Sequence, residues 1–98
     1  MIGTASQVDW AERIKGEVSA EFDRVAKALE SAMSRQAEPK RRETLTAIAI
    51  LEDKRAEVMA QDHAGYFIRE WQELRDQVRQ MITQDSRYQA LRANRVAR

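Results

Sequence analysis

Apolar residues recur at steps of three and four from Val8 through Ala11, Ile14, Val18, Phe22, Val25 and Leu29 to Met33, with charged residues between them. That period places the side chains on one face of a helix, whereas a strand would send alternate residues to opposite faces. The first third of the chain is therefore committed to a long amphipathic helix that needs a neighbour to cover its stripe. A sheet is a poor candidate for that neighbour, because three glycines and one proline in 98 residues leave little turn chemistry for many strands. Ala, Arg, Glu and Gln are the most frequent types, and these lose little rotamer freedom in a helix. The expected fold class is all-α.

The limits of the first helix are written locally. Thr4 with Gln7 has the spacing of a capping box, Ser6 is the alternative start, and Asp9 is expected in the first turn. Asp9 with Arg13 and Asp23 with Lys27 have the acid-first spacing of helix-surface pairs. Pro39 ends this helix, because Glu38 before it is pushed out of the α region, and AEPKRR reads as a tight turn. In the second helix Leu45, Ile48, Ala49, Val58 and Met59 share one side, and Ile50 with Leu51 extend the apolar surface round the middle. TAIAIL is then apolar nearly all round and is expected to be contacted from two directions.

Gly65 is the expected turning point, as a left-handed C-cap, between second and third helices. Beyond it Ala64, Phe67, Trp71, Leu74, Val78, Met81, Asp85 and Tyr88 follow a coiled-coil seam. Asp85 interrupts that seam, and Ser86 with Gln89 offers a second capping box at which the helix kinks or restarts. The expected architecture is an elongated antiparallel three-helix bundle with helices at about 6–36, 39–62 and 66–96. If the chain runs straight through Gly65, the alternative is a long helical hairpin that dimerises into a four-helix bundle. One domain spans 1–98, with residues 1–5 and about 94–98 frayed. A first helix of about 45 Å exceeds what a globule of this size holds comfortably, so self-association follows as an expectation.

Composition narrows function less than fold. With 17 basic and 16 acidic residues the formal net charge is +1, too small to steer the chain towards nucleic acid or an anionic membrane. The lack of cysteine removes disulfides and thiolate metal sites and fits a reducing compartment, so a cytoplasmic location is expected. No leader is read at the N-terminus, the longest apolar run is Ala47 to Leu51, and no membrane association is expected.

The leading functional expectation is a non-enzymatic helical interaction module, homo-oligomeric (a dimer) or bound to another helical protein. Its interface candidates are Trp10, which lies off the Ile14–Met33 stripe, together with Ile50, Leu51 and Trp71. A nucleic-acid-associated regulator is the alternative, with phosphate contacts from Lys40, Arg41 and Arg42 at the turn and Arg87, Arg92, Arg95 and Arg98 in the tail. A small-ligand or enzyme site near Glu52, Arg55, His63 and Tyr66 is the third reading. His63 beside Asp62 invites acid–base chemistry, but neighbours on a helix point about 100° apart, and a histidine near a helix C-terminus also complements the dipole. A single histidine cannot supply a di-metal carboxylate bundle, and no catalytic residue, metal site or cofactor is assigned.

Overall fold

The computed structural model of the chain describes the backbone of residues 1–96 and the side chains of residues 1–94. Among these residues there are five helices: α1 (Ala5–Met33), α2 (Lys40–Met59), α3 (Ala64–Glu70), α4 (Leu74–Thr83) and α5 (Ser86–Val96). The all-helical class is as expected. So is the start of α1, where the Thr4 hydroxyl accepts from the Gln7 amide at 3.3 Å and Gln7 Oε1 accepts from the Thr4 amide at 3.0 Å. Asp9 lies beyond the first turn, and α1 ends at Met33, short of residue 36.

α1 and α2 form an antiparallel hairpin. Near its open end Arg55 donates to Ser19 Oγ at 3.4 Å and pairs with Asp23 at 2.5 Å, and near its turn Thr44 Oγ1 donates to Gln36 Oε1 at 2.6 Å. Asp23 thus pairs across the hairpin and not with Lys27 on its own helix. Along α1 the expected stripe faces inward: Ala11, Val18 and Phe22 are fully buried, and Val8, Ile14, Val25, Leu29 and Met33 are half-buried.

The inner face of α2 differs from the expected one. Its buried line is Thr44, Ala47, Leu51 and Val58 with half-buried Lys54, flanked by buried Ile50, while Leu45 is 47% exposed and Ala49 is exposed. These positions follow steps of three and four as a core stripe should, but two are polar. Thr44 is satisfied by Gln36 and by the Lys40 carbonyl at 3.3 Å, and the Lys54 ammonium lies 3.7 Å from Asp85. A burial pattern that depends on distant partners is hidden from a count of apolar residues.

The chain does turn after α2, but ahead of Gly65, which is helical inside α3. Residues 60–63 make the reversal. Ile2 holds it open as a single parallel bridge, donating to the Asp62 carbonyl at 2.6 Å and accepting from the Ala64 amide at 2.8 Å. The first residues are therefore tied down, not frayed. Gly3 next to the bridge has φ of 154°, and a Cβ there would lie 2.9 Å from the Ala64 Cβ, so the close approach and the backbone both call for glycine.

The expected third helix is three. Trp71 leaves the helical region (φ −115°, ψ 55°), and Gln77 spans the gap, its side chain accepting from the Glu73 amide at 2.9 Å and donating to the Glu70 carbonyl. The second break is at Asp85, whose Oδ1 accepts from the Arg87 amide at 2.9 Å and so caps α5 in place of Ser86. These breaks let the chain zigzag: α3 lies on α1, α4 crosses onto both α1 and α2, and α5 runs back along α2. Ala64, Phe67, Trp71 and Val78 of the seam enter the core, with Trp71 edge-on to Phe22 at 6.1 Å and its indole N–H donating to Tyr66 Oη at 3.2 Å, while Ile82 is buried in place of half-buried Met81. The seam is thus covered within one chain. The molecule measures 53 × 25 × 19 Å with a radius of gyration of 15.7 Å, above the about 13 Å of a compact globule of this length.

Candidate functional site: a basic-rimmed groove

Among the described residues α5 packs on α2 and α4 and not on α1, and a trough is left beside α1, walled on its far side by α4 and, through Tyr88, by α5. Its volume is about 490 Å³, within the size range of ligand sites. Val25 and Leu29 of α1, Ala47 of α2 and Ile82 of α4 supply its apolar lining, and Tyr88 of α5 stands beside them. A second recess of about 280 Å³ shares Leu29, Ala47 and Tyr88 and continues to Lys40, Glu43, Thr44 and Leu91, so the two form one trough. Val25, Leu29, Tyr88 and Leu91 are half-buried, and the Tyr88 hydroxyl makes no hydrogen bond among the described residues.

The rim is basic. Arg24 stands on the α1 side and Arg75 and Arg79 on the α4 side, with Asp76 as the carboxylate beside them. Arg24 is held by Glu21, whose two oxygens each accept from Nε at 3.0 Å. Glu21 is itself buried, and the hydrogen bond from Arg24 holds its carboxyl below the usual range against the opposing effect of burial, with the charges of Arg24 and Arg75 assisting. Arg75 and Arg79 are exposed and make no ion pair among the described residues. They stand four apart on one helix, where like charges repel, so α4 holds a cationic edge at some cost to its own stability. That spacing is the signal in the sequence for this site, and it lies apart from the basic clusters at the turn and in the tail.

Three of the expected interface residues are not on the surface. Ile50 and Leu51 are fully enclosed between α2 and its neighbours, and Trp71 is 4% exposed against Phe22, so none offers a partner anything. The apolar-all-round segment is contacted from several directions, as expected, but by its own chain. Trp10 remains, at 51% exposed, near the opposite end of α1 from the groove.

The basic residues expected to meet phosphate divide between structural tasks. Arg41 reaches the Met33 carbonyl at 3.5 Å, Arg42 lies 3.6 Å from Glu38, and Lys40 lines the second recess. Arg87 is consumed by Asp85 at 3.0 Å and Asp53 at 2.8 Å, which ties α5 to α2, and Arg92 is exposed. The side chain of Arg95 and the whole of Arg98 lie outside the described residues. Of the third set, Glu52 is exposed, Arg55 is bound to Asp23 and Ser19, and Tyr66 accepts from Trp71. His63 Nδ1 does meet Asp62 Oδ1 at 3.0 Å, because both lie in the irregular reversal, but both side chains are mostly exposed, and His63 starts α3 instead of ending α2. Apart from Lys40 in the second recess, no residue of these three groups lines the groove.

Asp85 is the most perturbed carboxylate. Hydrogen bonds from the Arg87 guanidinium and amide, assisted by the Arg87 and Lys54 charges, hold it at about 2, below its ordinary 3.8. A depressed carboxylate contributes stability that is complete above the unfolded value and is lost as pH falls through the folded one. Thermal melts should therefore show the Asp85 share disappearing between about pH 4 and pH 2, and Asp85→Asn should lose less on acidification than the parent while being less stable at pH 7. Equal acid sensitivity in the two proteins would contradict this assignment.

Among the described residues no helix is long and apolar enough to cross a membrane, and no three metal-ligating side chains come together. No protein family, curated protein or solved structure matches the chain.

Proposed function

We propose that this protein is a non-enzymatic helical interaction module that receives a helix of another protein in the trough between α1 on one side and α4 and α5 on the other. The observation that carries the reading is the uncovered strip of α1. The Val25 and Leu29 side chains stay half-buried beside Tyr88 and Leu91 because α5 docks elsewhere, leaving an apolar channel between two helical walls. An amphipathic helix laid in such a channel covers apolar surface on both walls, which is the usual energetics of helix-in-groove recognition. A closed catalytic cavity would instead gather reactive side chains, and the polar groups on this lining are cations, two carboxylates, two hydroxyls and a phenol.

A helical peptide of about four turns, with leucines on one face and glutamines on both flanks, tests the reading by nuclear magnetic resonance titration. Amide shifts should concentrate at Val25, Leu29, Tyr88 and Leu91, and Leu29→Gln should weaken binding about ten-fold without loss of helicity, since Leu29 is only half-buried. Absence of shifts at these residues, at peptide concentrations where the leucine face alone should bind, would refute the module. Light scattering over the same concentrations distinguishes a second copy as occupant, because a dimer that Leu29→Gln dissolves would place this chain itself in the trough.

A further inference from the structure

We infer that the helix received in the trough is acidic, with its apolar face against Leu29 and Tyr88 and carboxylates on one flank meeting Arg75 and Arg79. This rests on the module reading above and adds the chemistry of the partner to it. Arg75 and Arg79 stand one turn apart on α4, at the edge of the apolar lining, exposed and without an ion pair among the described residues. A partner helix with acidic residues at i and i+4 repeats that spacing along its own axis, so two carboxylates can meet two guanidiniums at once. Across the trough, Arg24 is already ion-paired with buried Glu21, which leaves Arg75 and Arg79 as the rim cations for a partner. Farther along, Lys40 lines the second recess together with Glu43, so that part of the trough is balanced in charge. The main trough is lined by Arg24, Arg75 and Arg79 against Asp76; with Arg24 paired to Glu21, and with Glu17 and Glu73 beside Arg75, its cationic character rests on the exposed α4 edge.

The apolar lining distinguishes this ligand from a nucleic acid. Phosphates need cations and tolerate water, but they gain nothing from Val25, Leu29 and Ile82. An amphipathic acidic helix uses both halves of the surface.

The experiment compares three peptides of identical leucine face, with glutamine, glutamate or lysine pairs on one flank, against the full chain and its Arg75→Glu/Arg79→Glu variant. The glutamate peptide should bind the parent about ten-fold more tightly than the glutamine peptide at low salt, and the gain should shrink towards about 0.5 M salt, a concentration at which the Debye length is only about 4 Å. In the double variant the order should invert in favour of lysine. Both positions are exposed, and circular dichroism checks that helicity is kept although Arg75→Glu removes a charge that supports Glu21. If all three peptides bind equally at Leu29 and Tyr88, the acidic partner is refuted and the module stands. If none binds there, both fall. A single-stranded oligothymidylate that binds the parent, is lost in the double variant and competes with no peptide would replace this inference with a nucleic-acid one.

Discussion

Replacing Phe22 with alanine should destabilise the protein by about 3–5 kcal/mol, the usual cost of truncating a buried aromatic ring. Phe22 is fully buried and meets Trp71 edge-on at 6.1 Å, with the planes inclined by 61°, so the loss includes an aromatic pair as well as apolar area. The ring also holds the end of α3 to α1. Trp71 stands at the helix break with its indole tied to Tyr66, and the space left by Phe22 cannot be filled without moving that break. Against a total stability of about 5–15 kcal/mol, such a loss leaves a marginal or unfolded chain at room temperature. Urea denaturation followed by circular dichroism gives the difference directly. A shift below about 1 kcal/mol would mean that the packing of α3 on α1 contributes little to the core.

Leu51→Asp carries a larger penalty and decides a different question. If Leu51 were an interface residue of a self-associating hairpin, aspartate there would dissolve the oligomer and leave a folded monomer. In this structure Leu51 has no exposed surface and lies on the inner line of α2, so the substitution places an unpaired carboxylate inside the core. Burial of that kind exceeds about 4 kcal/mol, more than a domain of this size can readily absorb, and the chain should lose its cooperative melt. Trp10→Ala, at a side chain left about half exposed, should be close to neutral and provides the contrast. A soluble, fully helical Leu51→Asp monomer would overturn the enclosed core described for α2.

Much of the trough is illegible in the sequence for a reason visible in α2. Periodicity reports which side of a helix is apolar, and in α1 that side and the buried side coincide from Ala11 to Leu29. In α2 the buried line passes through Thr44 and Lys54, whose polar ends are satisfied by Gln36 on one side and Asp85 on the other. No local pattern announces partners that far away in sequence, so Leu45 and Ala49 have the spacing of core residues and are exposed. Asp85 illustrates the same point from the other end. It interrupts an apolar seam, and its role as cap of α5 and partner of Lys54 and Arg87 exists only once α2 lies beside it.

Local chemistry in the sequence determined that the chain is helical, that α1 starts at the Thr4–Gln7 box and stops short of Pro39, and that Phe67 and Val78 stand on an apolar helical face. These follow from backbone propensity, capping and a repeat of three and four, each read within a few residues. The tertiary structure decided where the last third of the chain breaks and which helix each piece covers. A long helix on that seam would have run past the hairpin, whereas breaks at Trp71 and Asp85 allow α3 to cover α1 and α5 to cover α2. The trough beside α1 and its cationic edge arise from that choice of neighbours. The choice rests on how much apolar surface each helix buries against the others, a property of the whole assembly and of no single residue's preference.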